Sequence, residues 1–387
     1  MIPKEIKILS LSFFIIFFAY NGIQQFLTAY FSELNVVKVG FWSLILIYLF
    51  LLITNFFSGF IVSKFGVKKC LVFGSLFYSL FIFVLITKIP PFIYLASALL
   101  GFGASILWTA QGTFLVRASE QQYYGKNSGF FNTIFQMGSV LGIIIFSILI
   151  VKFSFKSPLL IFGTFTLIAS IVFLMLKNVE PKVIDSKNRF RIFKKVFTNS
   201  TALKFSLIWF SFSLIIASVS GQFPLEIKKY FGLGSIGFIT PIFYFLPIIF
   251  SYYIGKTSDI KGRKLFLILA YIFALLGLSL FIIQIQFGLS KIFFILSFLL
   301  ISLGFALFAP LRYALLGDIS SDSNLEYLTA LSLSAMNSGY VIVFLLNMYL
   351  PAIFSYLIPF FIILSSLIII LPILKLNINT IKEKINL

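Results

Sequence analysis

Gly255-Lys-Thr-Ser-Asp-Ile-Lys-Gly-Arg-Lys264 is a short charged turn set between two long apolar runs. Its two glycines permit a tight backbone, and one carboxylate, Asp259, faces several cations. Apolar sequence resumes at once on both sides, as in a hairpin between two membrane spans. A weaker copy stands earlier as Gly59-Phe-Ile-Val-Ser-Lys-Phe-Gly-Val-Lys-Lys69, with Ser63 in the place of the acid and Val67 in the place of the arginine. The chain reads as built twice, and the turn marks each half.

The composition demands a membrane. Of 387 residues 60% are hydrophobic and 11% charged, with a mean hydropathy of +1.09; soluble domains average about 45–50% apolar and about 25% charged. The net charge of +19 lies in short segments between apolar runs, a pattern of membrane topology rather than of nucleic-acid binding. Cys70 is the single cysteine and there is no histidine, so neither an internal disulfide nor a metal cluster is expected. The apolar run after Lys4 and Lys7 is too long for a leader core and is read as a retained first span.

Crossing about 30 Å of hydrocarbon takes roughly 20 helical residues. That ruler gives twelve spans, at about 8–31, 39–63, 69–87, 91–116, 127–151 and 158–176, then 204–227, 233–255, 265–286, 291–316, 326–349 and 353–374. Backbone polar groups must be satisfied within each span, which makes them helices. With the N-terminus placed inside, the inner segments hold most of the 30 cations, and only Lys38, Lys88, Lys152, Lys156, Lys228, Lys229 and Lys291 fall outside. Both termini are therefore expected on the cytoplasmic side, in the cell membrane or, in a eukaryote, an endomembrane.

The expected organisation is an N-terminal six-helix bundle at 1–176, a basic cytoplasmic linker at 177–203 and a C-terminal six-helix bundle at 204–387. Within the linker, Phe190, Phe193 and Phe197 share one helical face with cations on the others, which suits a helix on the anionic inner leaflet; a solvated linker without fixed structure is the plain alternative. The two bundles pair at constant offsets: Gly59 with Gly255, Ser63 with Asp259, Gly66 with Gly262 and Lys68 with Lys264, then Gln25 with Gln222, Gly103 with Gly304 and Gln111 with Arg312. Two six-span halves running in the same direction are a parallel transporter repeat.

The marked turns resemble the signature between spans 2 and 3 of the major facilitator superfamily, and its echo between spans 8 and 9. The second copy is complete in Gly255, Asp259, Gly262, Arg263 and Lys264; the first keeps Gly59, Gly66 and Lys68. In that family the turn is understood as a latch for one access state, with its carboxylate on cations and helix N-termini; a merely topological basic turn is the alternative. Gly101-Phe-Gly-Ala-Ser-Ile-Leu-Trp-Thr-Ala-Gln-Gly-Thr113 in span 4 is similar to the UNC-ninety-three-like branch, as are Gly40-Phe-Trp-Ser-Leu-Ile-Leu-Ile-Tyr48 and Asn127-Ser-Gly-Phe-Phe131 with Gln136 and Gly142. The resemblance covers the first half well and the second mainly through the 255–264 turn. It implies an all-α, twelve-span major-facilitator fold whose spans 1, 4, 7 and 10 line a central cavity.

The polar residues of those four spans are the candidate cavity set: Asn21, Gln24, Gln25, Trp108, Gln111, Gln222 and Arg312. Each, taken alone, reads equally well as interhelical hydrogen-bonding glue. Arg312, within an apolar run, has two readings: it binds an anionic group of a solute, or it pairs with Asp259 or Asp318. Pro310, Pro224, Pro241 and Pro247 are expected bends. Glu33 and Glu226 sit near the outer ends of spans 1 and 7, and no acid falls in mid-span, which argues against a proton-driven pump. With no nucleophile–base pair and no phosphate loop, enzyme readings fail, and no cofactor or metal is expected. Two functions remain. One is a carrier that moves a small solute by alternating access. The other, which the family resemblance allows, is a non-transporting regulator or chaperone of another membrane protein such as an ion channel. The intact second turn and the polar set favour the first; the degraded first turn and the missing buried acid favour the second.

Overall fold

The structure is a computed structural model that describes residues 2–34, 36–177, 186–232, 235–351, 353–374 and 378–386. It is all-helical among these residues. The first half holds α1 (Lys4–Glu33), α2 (Val37–Phe65), α3 (Val67–Leu85), α4 (Pro90–Arg117), α5 (Tyr124–Phe153) and α6 (Lys156–Phe173), with a single 3₁₀ turn at Gln121–Tyr123. A short α7 (Ser186–Thr198) precedes the second half, which holds α8 (Ser200–Gly221), α9 (Phe223–Phe231), α10 (Ile236–Lys261), α11 (Arg263–Phe287), α12 (Lys291–Ile319), α13 (Leu325–Tyr349) and α14 (Phe354–Leu374). A final α15 covers Ile378–Asn386. Twelve of these helices are long and apolar enough to cross a membrane.

Local chemistry sets the helix ends. The prolines Pro90 and Pro91 open α4, where a missing N–H is harmless and a fixed φ helps. The Asn199 side chain caps α8 by accepting from the Ala202 amide at 2.9 Å. At the two marked turns the chain reverses on one residue each: Gly66 (φ 87°) links α2 to α3, and Gly262 (φ 83°) links α10 to α11. That left-handed backbone strongly favours glycine, so the two copies share one local geometry although their charges differ.

The prolines act unequally. Both α10 and α12 run unbroken through Pro241, Pro247 and Pro310. Span 7 alone divides, with α8 ending at Gly221 and α9 starting at Phe223, next to Pro224. A proline at the second helical position starts a helix well but cannot donate into the turn before it.

Within the first half α1 packs on α5 and α6, and α4 packs on α2 and α3; in the second half α8 packs on α13 and α14, and α12 on α10 and α11. The halves meet most closely along α5 with α10 and α2 with α13, and α5 also touches α12 and α4 touches α13 and α12. Glycines make the close approaches possible. A Cβ on Gly103 would strike the Phe77 ring of α3, and one on its repeat mate Gly304 would meet the Ala270 carbonyl oxygen of α11 at 2.9 Å. Apolar side chains such as Ile171, Phe238 and Phe361 stay exposed around the bundle, as lipid contact requires.

The linker departs from expectation. Residues 178–185, with Lys182, lie outside the described residues, as do Lys375 and, as a side chain, Glu33. Helix α7 forms, but its aromatic face does not lie free for a lipid leaflet. Phe193 packs on Phe60 (ring centroids 5.3 Å apart) and Phe197 on Phe56 (5.6 Å), so the helix is docked on α2, and Phe193 also reaches Tyr327 of α13. Phe190 alone of the three remains largely exposed.

Candidate functional site

A cavity of about 100 Å³ lies between the halves. Its wall is largely aromatic. Tyr20 of α1 meets Tyr78 of α3 edge to face at 4.9 Å, and Tyr48 of α2 stacks on Tyr340 of α13 at 4.2 Å with the rings 5° from parallel. Trp108 of α4 is held by Phe13, Phe17 and Phe135, at 5.2, 5.1 and 5.8 Å. Amides supply the remaining polarity. Asn21 donates to the Ser139 hydroxyl at 2.7 Å, and Gln24 to the Tyr48 hydroxyl at 2.9 Å. From α5 and α13 come Gln136 and Asn337, whose side-chain oxygens have no hydrogen-bond partner and so remain free to accept.

Arg312 of α12 is the cavity's charge. It is 5% exposed, and its guanidinium lies 5.8 Å from the Trp108 ring and 4.6 Å from that of Tyr313. Its Nε has no hydrogen-bond partner. Of the two readings of Arg312, the pairing with Asp259 or Asp318 does not occur among the described residues: Arg263 takes both carboxylates, at 2.6 and 3.0 Å. No carboxylate lines the cavity among the described residues. The Arg312 cation is therefore balanced by ring faces, worth about 0.5–2 kcal/mol, rather than by an anion.

The structure places Asn21, Gln24, Trp108 and Arg312 on the cavity wall and three other expected residues away from it. Gln25 follows Gln24, and successive helical residues point about 100° apart; it is buried beside Tyr244 of α10. Gln111 is fully buried with neither amide atom partnered, yet it does not reach the cavity. Gln222 lies at the α8–α9 break and donates to Glu226 at 3.3 Å. The four-span rule omitted α2, α5 and α13, which contribute Tyr48, Gln136, Asn337 and Tyr340. Mid-span amides carry their own signal, since a Gln or Asn facing lipid is costly, and that signal marks Gln136 and Asn337 in the sequence.

Two clusters join the halves at the end of the bundle where α1 starts and α14 finishes. In the first, Asp259 of α10 accepts the backbone amides of Gly125 and Lys126, both at 2.8 Å, at the N-terminus of α5. There the helix dipole and free N–H groups favour an anion. Arg263 ties Asp259 to Asp318 of α12 and donates to Ser258 at 2.7 Å. Gly125 and Gly255 let the helices meet, since a Cβ on either would strike the other's carbonyl oxygen. In the second cluster, Arg117 at the end of α4 pairs with Glu326 in the first turn of α13 at 2.6 Å and donates to the Asp322 carbonyl at 3.3 Å. Ser63 donates to the Phe60 carbonyl of its own helix at 3.0 Å and across the halves meets the Tyr327 hydroxyl at 3.5 Å, and Gly59 packs against Tyr327 and Glu326. Of the other marked cations, Lys264 is exposed and Lys68 half-buried, and neither makes an ion pair among the described residues.

Twelve spanning helices in two facing halves, with a central cavity and charged clusters joining the halves at one end, define the architecture of a secondary transporter. The family model of the Major Facilitator Superfamily matches residues 9–234 and 207–384. The chain belongs to that superfamily. It is 30% identical over 141 residues to the UNC93-like protein MFSD11 of Xenopus tropicalis, 36% of this chain and 32% of that one. It is 26% identical over 212 residues to the uncharacterized MFS-type transporter YfkF of Bacillus subtilis, 52% of each chain. The match thus spans about a third to a half of the length of these relatives. Among solved structures, the proton:xylose symporter XylE superposes with a TM-score of 0.72 at 14% identity, over 95% of this chain and 96% of that one, a likeness of fold.

Proposed function

We propose that the chain is a membrane carrier, not an enzyme, that moves a small solute through the central cavity by alternating access. The observation that carries this reading is the cavity itself: it holds a buried cation without an anion, and it is built from both halves at once. A solute on Arg312 and Trp108 touches the two halves together, so binding and release bias how they rock against each other. The latches stabilise the state closed at their own end, which positive-inside topology assigns to the cytoplasm in the cell membrane. The annular partner is membrane lipid. Nothing acidic lines the cavity among the described residues, which supports movement without proton coupling.

The test is flux in proteoliposomes. Arg312→Ala and Gln24→Ala abolish or sharply reduce uptake while the folded protein remains extractable, and a protonophore leaves wild-type uptake unchanged. Normal flux in both variants overturns the site. The regulator reading keeps one supporting observation, the UNC93-like similarity of the first half, and predicts a stoichiometric membrane-protein partner after purification in mild detergent. The degraded first turn no longer supports it, because Arg117 and Glu326 make a latch there by another route.

A further inference from the structure

We propose that the cavity selects a small organic monocarboxylate with a flat apolar body, held by Arg312 through its carboxylate and by the aromatic wall through its ring or chain. This rests on the carrier reading for its purpose, but not for its binding chemistry.

Charge sets the first limit. The cavity contains one cation, Arg312, and neither Asp nor Glu among its lining residues. A single negative charge neutralises it; a dianion leaves an uncompensated charge in a dry site, and a cationic solute meets repulsion. Arg312 has no hydrogen bond or ion pair among the described residues, and its planar fork suits a carboxylate that accepts two parallel N–H bonds. A zwitterionic amino acid needs an acceptor for its ammonium, and the best ring face, Trp108, already faces the guanidinium.

Size and polarity set the second. A cavity needs about 10–15 Å³ for each water it holds, so about 100 Å³ admits roughly seven to ten non-hydrogen atoms. The wall offers Tyr20, Tyr48, Tyr78, Trp108 and Phe305; of its four amides, Asn21 and Gln24 already bond Ser139 and Tyr48, and Gln136 and Asn337 leave two free acceptor oxygens. A polyhydroxylated solute of this size would leave several hydroxyls unpaired among rings. A flat apolar body would instead stack.

Benzoate is the probe, with benzamide as its neutral isostere, benzylamine as a cation, xylose as a polyol, and chloride as an anion without a body. Thermal unfolding of the purified protein in a carboxylate-free sulfate buffer is expected to shift upward with benzoate only. Arg312→Gln, which folds because it removes a buried charge, weakens benzoate binding on the order of tenfold to a hundredfold; Arg312→Lys retains part of it. Benzoate also changes the Trp108 fluorescence, and Trp108→Phe removes that change. The proposal is overturned by a benzoate effect that survives Arg312→Gln, by an equal effect of benzamide, xylose or chloride, or by no benzoate effect on the wild type. Benzoate binding without proteoliposome flux overturns the carrier reading and leaves the ligand class standing. Flux of a neutral or cationic solute does the reverse.

Discussion

Among the described residues Arg312 is held in an apolar bundle by ring faces alone, and the energetics of that position are unequal. A central arginine costs about 2.5–3.5 kcal/mol on insertion scales, and cation–π contact returns about 0.5–2 kcal/mol. Arg312→Met, of similar length and without charge, is therefore expected to stabilise the ligand-free protein by about 0.5–3 kcal/mol while removing solute binding. A melting temperature below wild type in detergent contradicts this. Asp259 is the opposite case, with its charge met by two helix-end amides and a guanidinium. Removing one member of such a buried set costs about 3–5 kcal/mol, here charged against the state closed at the latch end. In a Cys70→Ser background, maleimide labelling of Ser251→Cys, whose hydroxyl meets Asn132 at 2.8 Å on the α5–α10 seam, speeds up when Asp259→Asn is added. Ser63→Ala, which loses a bond within its own helix and a 3.5 Å contact to Tyr327 across the halves, leaves that rate unchanged. At this scale the sequence showed which residues were costly in lipid but not what they touched. Arg312 and Gln111 look alike as buried polar groups at paired positions, and only packing puts one on the cavity and the other behind it.

The helices show a symmetry of position combined with an inversion of charge. The offset of 201 that pairs Gln111 with Arg312 also pairs Arg117 with Asp318 and Gly125 with Glu326. In the second-half latch the acids lie on α10 and α12, and the α5 terminus supplies bare amides; in the other the end of α4 supplies the cation and the α13 terminus the acid. At both clusters the first half presents donors and the second half the carboxylate, from positions that the repeat exchanges. Arg117→Glu or Glu326→Arg alone places like charges together on a buried seam and lowers thermal stability. The double exchange recovers most of the loss, with a coupling of about 0.5–3 kcal/mol in a double-mutant cycle. Additive losses in the four-protein comparison exclude the pair as a latch. Spans and their pairing were legible because period, length and glycine positions survive drift. The second latch was not: its residues fall outside the marked turn, and the turn's own copy had lost its acid and arginine.

For the whole molecule, twelve spans and their repeat in two sets of six follow from hydropathy and residue pairing, both long-range patterns that single substitutions cannot erase. The cavity does not follow from them, since its wall draws on nine helices and its chemistry is set by which faces happen to converge. The docked α7 shows the same limit: an amphipathic pattern states that a helix buries one face, not whether lipid or protein covers it. Carriage requires the seam to open. Asn132→Cys with Ser251→Cys, again without Cys70, allows a covalent bridge across α5 and α10 on the latch side of Gln136. Oxidation is expected to abolish proteoliposome flux and leave solute binding measurable by thermal shift, with flux restored by reductant. If the bridged protein carries solute at the reduced rate, the halves do not rock at this seam and alternating access fails as the mechanism. If bridging leaves retention of a stoichiometric membrane partner unchanged and no solute moves in either redox state, the cavity serves recognition rather than passage.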